Sequence, residues 1–370
     1  MRRILPLLLL AACANDYKLT GEAVNVNPED VTECGFTRVE ATAFYRYDCN
    51  PVFTTTDEEW ARSMGSTTFH VTEVVGHPFY QLWYTAYENT TDDWPPYNVG
   101  YAASPDGTDF TPHPQNPVMG QPETGEFDYD YMSGLQVVWD PNEQLYVMIY
   151  QGINDSNRGY GMGVATSPDG IEWTRHGKNP VYDLHDAVGS VQNWCWPLGL
   201  DLGEQGGYTG YIAGSERGGN NACEAYRLNA SSLGDWQPSE KKALSAGDNG
   251  EWDDCGFAGL AIAGLGDTRY MFYSGFGYWT QSGNYQVATN LFLGVAEMGP
   301  GEDEWQKWGD YVPVNNTADG RVSAVAARTV ATRIHLWITD DYDRNQAVGY
   351  FLYDPDRAAE EDASGGDSGE

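Results

Sequence analysis

One twenty-residue phrase occurs twice in this chain, and it restricts the fold more than any other feature. Residues 100–119 read GYAASPDGTDFTPHPQNPVM, residues 163–182 read GVATSPDGIEWTRHGKNPVY, and the two align without a gap. Within the phrase, Pro105 and Pro168 set φ for the start of a tight turn. Asp106 and Asp169 can bond the local backbone, and Gly107 and Gly170 accept positive φ. Small and apolar residues precede the turn, an aromatic (Phe110 or Trp173) follows it, and Asn-Pro closes the second arm. The phrase predicts a β-hairpin.

Upstream of each copy lie aromatic and β-branched runs, FYQLWYTAY at 79–87 and LYVMIYQGI at 145–153, preceded in turn by TTFHVTEV and SGLQVVWD. Each run has the composition of a strand. The repeating unit is therefore four antiparallel strands in about 60–65 residues, the size of a propeller blade. Weaker copies follow from Trp196, Gly250 and Ser323. A second echo, GEFDYDYMSGLQVV from Gly125 and GEWDDCGFAGLAIAG from Gly250, opens the second and fourth units in the same register. No stretch past the N-terminus keeps helical periodicity over three turns. The expectation is an all-β, five-bladed β-propeller of four-stranded antiparallel blades over residues 51–355. A sixth blade would need strands within residues 14–50.

With 54 acidic and 20 basic residues, the formal charge is −34. Such a surface argues against nucleic acid or an anionic bilayer face as a partner. The last residues, 356–370, are acidic, rich in Gly and Ser and poor in apolar side chains, so a disordered tail is expected there. No phosphate-binding loop, HExxH, GxSxG or dinucleotide fingerprint occurs past the N-terminus.

The N-terminus reads MRRILPLLLLAAC, two arginines and an apolar run that is too short to span a bilayer. It resembles a bacterial lipoprotein signal, residues 1–13, in which cleavage before Cys13 leaves that thiol to be lipidated. Ala14 in place of Asp favours the outer membrane. Residues 14–50 would then be a tether and N-terminal extension. The expected location is the cell envelope, with the membrane reached through the lipid anchor alone. Export makes disulfides available. Cys34 and Cys49 sit together outside the blades and are paired. Of Cys195, Cys223 and Cys255 one must be left over, and Cys195 with Cys223 is preferred.

The Ser-Pro-Asp-Gly turn, the stretch IEWTRHGKNPV and the aromatic strands resemble the five-bladed β-propeller glycosidases: glycoside hydrolase families 43 and 32 and the family 130 mannoside phosphorylases. The resemblance covers residues 50–353 and implies a monomer taking an oligosaccharide or polysaccharide at the funnel mouth. Families 32 and 43 place carboxylates there, and an inverting pair stands about 6.5–9.5 Å apart. Here the matching positions are Thr68 or Phe69, Gly134 or Leu135, and Pro197 or Leu198. None is acidic, and the Glu-Asp-Pro-Arg signature of family 130 is missing.

Acids do occur one step earlier. Asp128, Asp253 and Glu216 are the candidate catalytic residues, and Asp130, Asp186, Trp194, Asp254 and Trp279 the candidate substrate-binding ones. A repeat-matched acid such as Asp128 or Asp253 can equally cap a loop. No metal ligand set is assigned and no cofactor is required. Ca2+ is compatible with the chain: His70 lies on an innermost strand where related propellers hold a central ion. Asp341, Asp343 and Asn345 also alternate oxygens, without the Gly and Glu of a calcium loop. Two readings stand side by side: a glycoside hydrolase-like enzyme, and a non-catalytic surface propeller that binds glycan or protein.

Overall fold

The structure, a computed structural model, describes residues 34–54, 59–61, 63–74, 77–87, 97–154, 159–184, 191–203, 206–216, 224–282, 285–314, 322–342 and 345–365. The chain divides into Met1–Gly35 and Phe36–Glu370. The second unit is almost wholly β.

Its strands run in chain order. Three short ones come first, β1 (Phe36–Arg38), β2 (Phe44–Tyr47) and β3 (Phe53–Thr54). Blade one is β4 (Ser63–Val74), β5 (His77–Tyr87), β6 (Tyr97–Ser104) and β7 (Thr111–Pro112). Blade two is β8 (Tyr131–Asp140), β9 (Leu145–Asn154), β10 (Gly159–Ser167), β11 (Thr174–Arg175) and β12 (Tyr182–Asp183). Blade three is β13 (Val191–Leu202), β14 (Tyr208–Glu216), β15 (Glu224–Ser232) and β16 (Asp235–Leu244). Blade four is β17 (Gly256–Leu265), β18 (Thr268–Ser282), β19 (Tyr285–Met298) and β20 (Gln306–Lys307). Blade five is β21 (Ala324–Val330), β22 (Arg333–Tyr342) and β23 (Asn345–Tyr353), and a helix, α1 (Pro355–Gly365), follows.

Each blade is an antiparallel sheet ordered from its first strand outward. The first strands β4, β8, β13, β17 and β21 contact one another in a closed ring, and β21 returns to β4. This is a five-bladed propeller.

The repeated phrase is a joint between blades. Ser104 Oγ accepts from Gly107 N at 2.9 Å, and Asp106 Oδ1 accepts from Thr108 N at 2.8 Å and Asp109 N at 3.0 Å. Ser167 and Asp169 repeat this set at 2.8–2.9 Å. The carbonyl so presented caps a tryptophan of the preceding blade. Trp83 Nε1 donates to Gly170 O at 2.7 Å, and Trp337 Nε1 donates to Gly107 O at 3.1 Å. Both indoles are fully buried, so each bond satisfies a donor that water cannot reach.

The Asn-Pro end of the phrase extends the third strand. Asn116 accepts from Tyr101 N at 2.9 Å and donates to Tyr101 O at 3.0 Å, and Asn179 does the same with Val164 at 2.9 Å. A third copy, Asn50-Pro51-Val52, does so for β23: Asn50 accepts from Tyr350 N at 2.7 Å and donates to Tyr350 O at 3.0 Å.

That third copy corrects the expected boundaries. Residues 36–50 are no tether, because β1 pairs with β2 and β2 with β23, and together with β3 they supply the outer part of blade five. The ring is closed by the start of the domain meeting its end. Cys34 and Cys49 are disulfide-bonded, as expected.

The expected tail also differs, since residues 355–365 form α1. Asp354 caps it, its Oδ1 accepting from Arg357 N at 3.1 Å, with Pro355 in the first position. Arg357 lies 4.1 Å over the Tyr45 ring and bonds Glu361 at 2.9 Å, while Arg38 reaches Asp362 at 2.6 Å. These scattered cations hold the acidic run that its own composition would leave unfolded.

Candidate functional site

Asp128 and Asp253, the matched acids of the GEFD and GEWD echo, are each 1% exposed. Asp128 Oδ2 accepts from Tyr150 OH at 2.9 Å and pairs with Arg175 Nε at 2.8 Å. Asp253 Oδ2 accepts from Tyr273 OH at 3.3 Å and pairs with Lys307 Nζ at 2.5 Å. In each blade the acid precedes the innermost strand, the tyrosine lies on the second and the cation on the fourth. Burial first, and the adjacent carboxylate next, push both phenols up, so they stay protonated donors. The preceding aromatic packs on the same tyrosine: Phe127 at 5.9 Å from Tyr150, Trp252 at 5.7 Å from Tyr273.

Blade one carries the same frame without the charges. Trp60 stacks on Tyr84 at 6.1 Å, but Ala61 stands where the acid would be and Pro112 where the cation would be. Gly152 and Gly275, which make room for the acid, are replaced by Ala86; a Cβ there would lie 2.7 Å from Asp128 Cβ and 2.8 Å from Asp253 Cβ. Acid, cation and glycine are present together or absent together, which is the behaviour of a staple. The structure does not bring Asp128 and Asp253 together; each is enclosed in its own blade.

The upper face is the end at which the innermost strands begin. On the described residues, β4, β8, β13, β17 and β21 carry their acids only toward the lower end, at Glu73, Asp140 and Asp201. The upper half presents neutral polar groups that knit the blades. Thr67 and Thr339 share a hydrogen bond at 2.6 Å between blades one and five, and Ser274 donates to Val322 O between four and five.

Between blades one and two the mouth holds a tyrosine cluster that the sequence reading did not single out. Tyr87 and Tyr97 have ring centroids 4.4 Å apart, and Tyr97 and Tyr131 also 4.4 Å. Tyr97 bonds both neighbours, Tyr131 bonds Ser133, and Ser133 Oγ donates to Gln151 Oε1 at 2.8 Å. The result is a hydroxyl chain from the rim to the second strand of blade two. Burial drives the Tyr97 phenol far up, with the neighbouring tyrosines adding to it. Gly65 allows the approach: a Cβ there would collide with Thr85 Oγ1 and come 3.0 Å from the Tyr97 ring.

Of the other candidates, Asp130 is half-buried at the edge of this cluster, its N–H donating to Ile153 O at 3.0 Å. Asp254 is occupied by its own turn, accepting from Gly250 N at 2.8 Å and Cys255 Sγ at 3.3 Å. Trp194 pairs with Gly214, Glu216 with Val191 and Trp279 with Ala288. The side chains of these three, and that of Cys195, lie outside the described part. So do Asp186, Cys223 and Cys13 altogether.

Below the mouth, all five innermost strands line an axial cavity of about 210 Å³, with Thr68, His70, Gln136 and Arg328 on its wall. Burial, then the Arg328 charge, pull His70 down to about 3, so the imidazole is neutral. This set does not fit calcium, which takes six to eight oxygens and tolerates no guanidinium beside it. Among the described residues no three His, Cys, Asp or Glu converge on a metal position. Asp343, in the other alternating-oxygen stretch, lies outside the described residues.

No protein-family profile and no curated protein matches the sequence. Solved structures do match in fold. A glycosyl hydrolase from Bacteroides ovatus is similar at 17% identity, over 87% of this chain and 94% of the other, with a TM-score of 0.60. A structure described with the GH130 mannoside phosphorylase family, containing glycoside hydrolases that target β-1,2 mannosidic linkages in Candida mannan, is similar at 17% identity. It covers 90% of this chain and 96% of the other, with a TM-score of 0.60. The β-1,2-mannobiose phosphorylase of Listeria innocua, solved with β-1,2-mannobiose, is similar at 12% identity over 86% and 98%, TM-score 0.57. At these identities the likeness is one of fold.

Proposed function

We propose that this chain is a lipid-anchored, carbohydrate-binding propeller of the cell envelope. Its glycan lies at the upper mouth between blades one and two, on Tyr87, Tyr97 and Tyr131. The observation that carries this reading is the pairing of a half-buried tyrosine cluster with staple-bound acids. Ring faces and hydroxyls suit a sugar's apolar face and its hydroxyl groups. Asp128 and Asp253 are already neutralised by Arg175 and Lys307 and reach no solvent, so binding without their chemistry is favoured.

A glycoside-active enzyme is the second reading, supported by the hydrolases and phosphorylases that share the fold. It would rely on Asp130 or Glu216 at the mouth rather than on the staples. A glycan array and an aryl-glycoside panel on the full chain separate the two. Retention without turnover supports the binder. Turnover lost in Asp130→Asn or Glu216→Gln supports the enzyme. Neither retention nor turnover overturns both. The anchor has its own test: Cys13→Ser moves the protein from the membrane to the soluble fraction, and a variant that stays with membranes refutes the lipobox.

A further inference from the structure

Arg328 stands on the last innermost strand, β21, and faces the axial cavity. The described residues place no carboxylate within ion-pair distance of it. Asp201, at the cavity's lower rim, is engaged elsewhere, 3.5 Å from Arg269. Among the described residues the guanidinium makes one hydrogen bond, from Nη1 to Ala327 O at 2.7 Å. A guanidinium carries five N–H donors, so most of them open onto the cavity. The wall supplies Thr68, Gln136 and the neutral imidazole of His70, all able to donate a hydrogen bond, and its one carboxylate among the described residues, Asp201, acts on Arg328 only from beyond ion-pair distance. A half-buried guanidinium without an ion-pair partner is costly unless an anion or firmly held water answers it. The cavity, at about 210 Å³, has room for several waters or for an oxyanion with waters around it.

We propose that the axial cavity is a binding site for a small oxyanion, of carboxylate or phosphate chemistry, held by Arg328 and bridging blades five, one and two. The planar fork of Arg matches two oxygens of such an ion, which a halide cannot offer. Gln136 and Thr68 reach it from blades two and one, so the bound ion ties β21 to β4 and β8. Asp201 and Tyr211 line both this cavity and the groove of about 640 Å³ between blades three and four, which marks the way in. The site is separate from the tyrosine mouth, and its sign is opposite to that of a calcium site.

The test is thermal unfolding of the full chain at constant ionic strength in phosphate, acetate, chloride and calcium chloride. Phosphate or acetate, whichever is the better ligand, raises Tm in a saturating way; chloride and calcium do not. Gln136→Leu weakens the midpoint of that response about tenfold, the loss of one hydrogen bond to a charged ligand. Arg328→Met abolishes the response. In anion-poor buffer the same variant is at least as stable as the wild type, because a half-buried guanidinium without an ion-pair partner has gone. Under saturating oxyanion it is the less stable of the two, so the order reverses. An Arg328→Met chain whose gap to wild type is the same in every buffer overturns the proposal, as does a wild-type chain that responds equally to chloride or responds to calcium. If Arg328→Met does not fold, the wild-type salt series and Gln136→Leu decide alone.

Discussion

Arg175 Nε lies 2.8 Å from Asp128 Oδ2, joining the outermost strand of blade two to the loop that enters its innermost one. Lys307 and Asp253 make the same link in blade four, and Ala61 and Pro112 dispense with it in blade one. The chain thus holds two solutions to one packing problem, and the comparison between them is an internal control. Asp128→Ala leaves Arg175, whose side chain is 27% exposed, facing a void and should cost about 3 kcal/mol. Asp128→Ala with Arg175→Leu, closer to blade one's solution, should recover a large part of that. Chemical denaturation measures both. A double variant no better than the single one would show that the cation is not the reason the acid is needed.

The blade joints make a separate prediction. Gly170 has φ +82°, and a Cβ on it would come 2.7 Å from the Trp83 ring. Gly170→Val should therefore destabilise by more than about 1 kcal/mol, while Glu172→Gln, exposed on the same hairpin, should be nearly neutral. Trp83→Phe should lose about 1 kcal/mol for the missing bond to Gly170 O, beyond any packing change. Equal melting temperatures for the two hairpin variants would remove the joint from the account.

Two half-buried histidines give stability a pH slope. Burial, with the Arg328 charge, lowers His70 to about 3, and burial, with Arg333, lowers His335 to about 4. Both start from about 6.5 in the unfolded chain. The unfolded state then binds more protons between these limits, so stability is full above about pH 6.5 and falls as pH drops toward 3–4. In anion-poor buffer, His335→Gln should flatten that decline, read as Tm against pH. The turn carboxylates act lower. Burial would raise Asp106 and Asp169, but backbone N–H donors outweigh it and hold both below their ordinary value. Their contribution is lost only as pH falls through and below about 4. A wild-type curve flat between pH 6.5 and 4 would contradict the histidine assignment.

The blades were legible because the repeated phrase is a local device: turn, strand and Asn-Pro clamp all lie within twenty residues. The closure of blade five was also written, as Asn50-Pro51-Val52, but only three residues of the phrase survive there. The echo of Asp128 and Asp253 was visible and its use was not. Their cations lie 47 and 54 residues downstream, on two-residue strands with no pattern of their own. The tyrosine cluster stayed hidden for a similar reason. Tyr87, Tyr97 and Tyr131 come from three strands and two blades, and only the fold places them in contact. Helix α1 depends on Arg38 and Tyr45, more than 300 residues away, so no local composition could announce it.

The mouth is where function should be sought, and its tyrosines divide the work. Tyr97 sits between Tyr87 and Tyr131, with each ring centroid 4.4 Å away, so it is the keystone of the platform. Tyr97→Ala should weaken glycan binding by about 1–3 kcal/mol, as loss of a central aromatic anchor does. Tyr131→Phe keeps the ring and removes only the hydroxyl, which bonds Ser133 and Tyr97, so it should cost about 1–2 kcal/mol. Asp106→Asn and Asp169→Asn, on the lower turns, should leave affinity unchanged once stability is matched. Isothermal titration with a glycan found on the array checks all four. A ligand lost in Asp106→Asn but kept in Tyr97→Ala would move the site to the opposite face of the propeller.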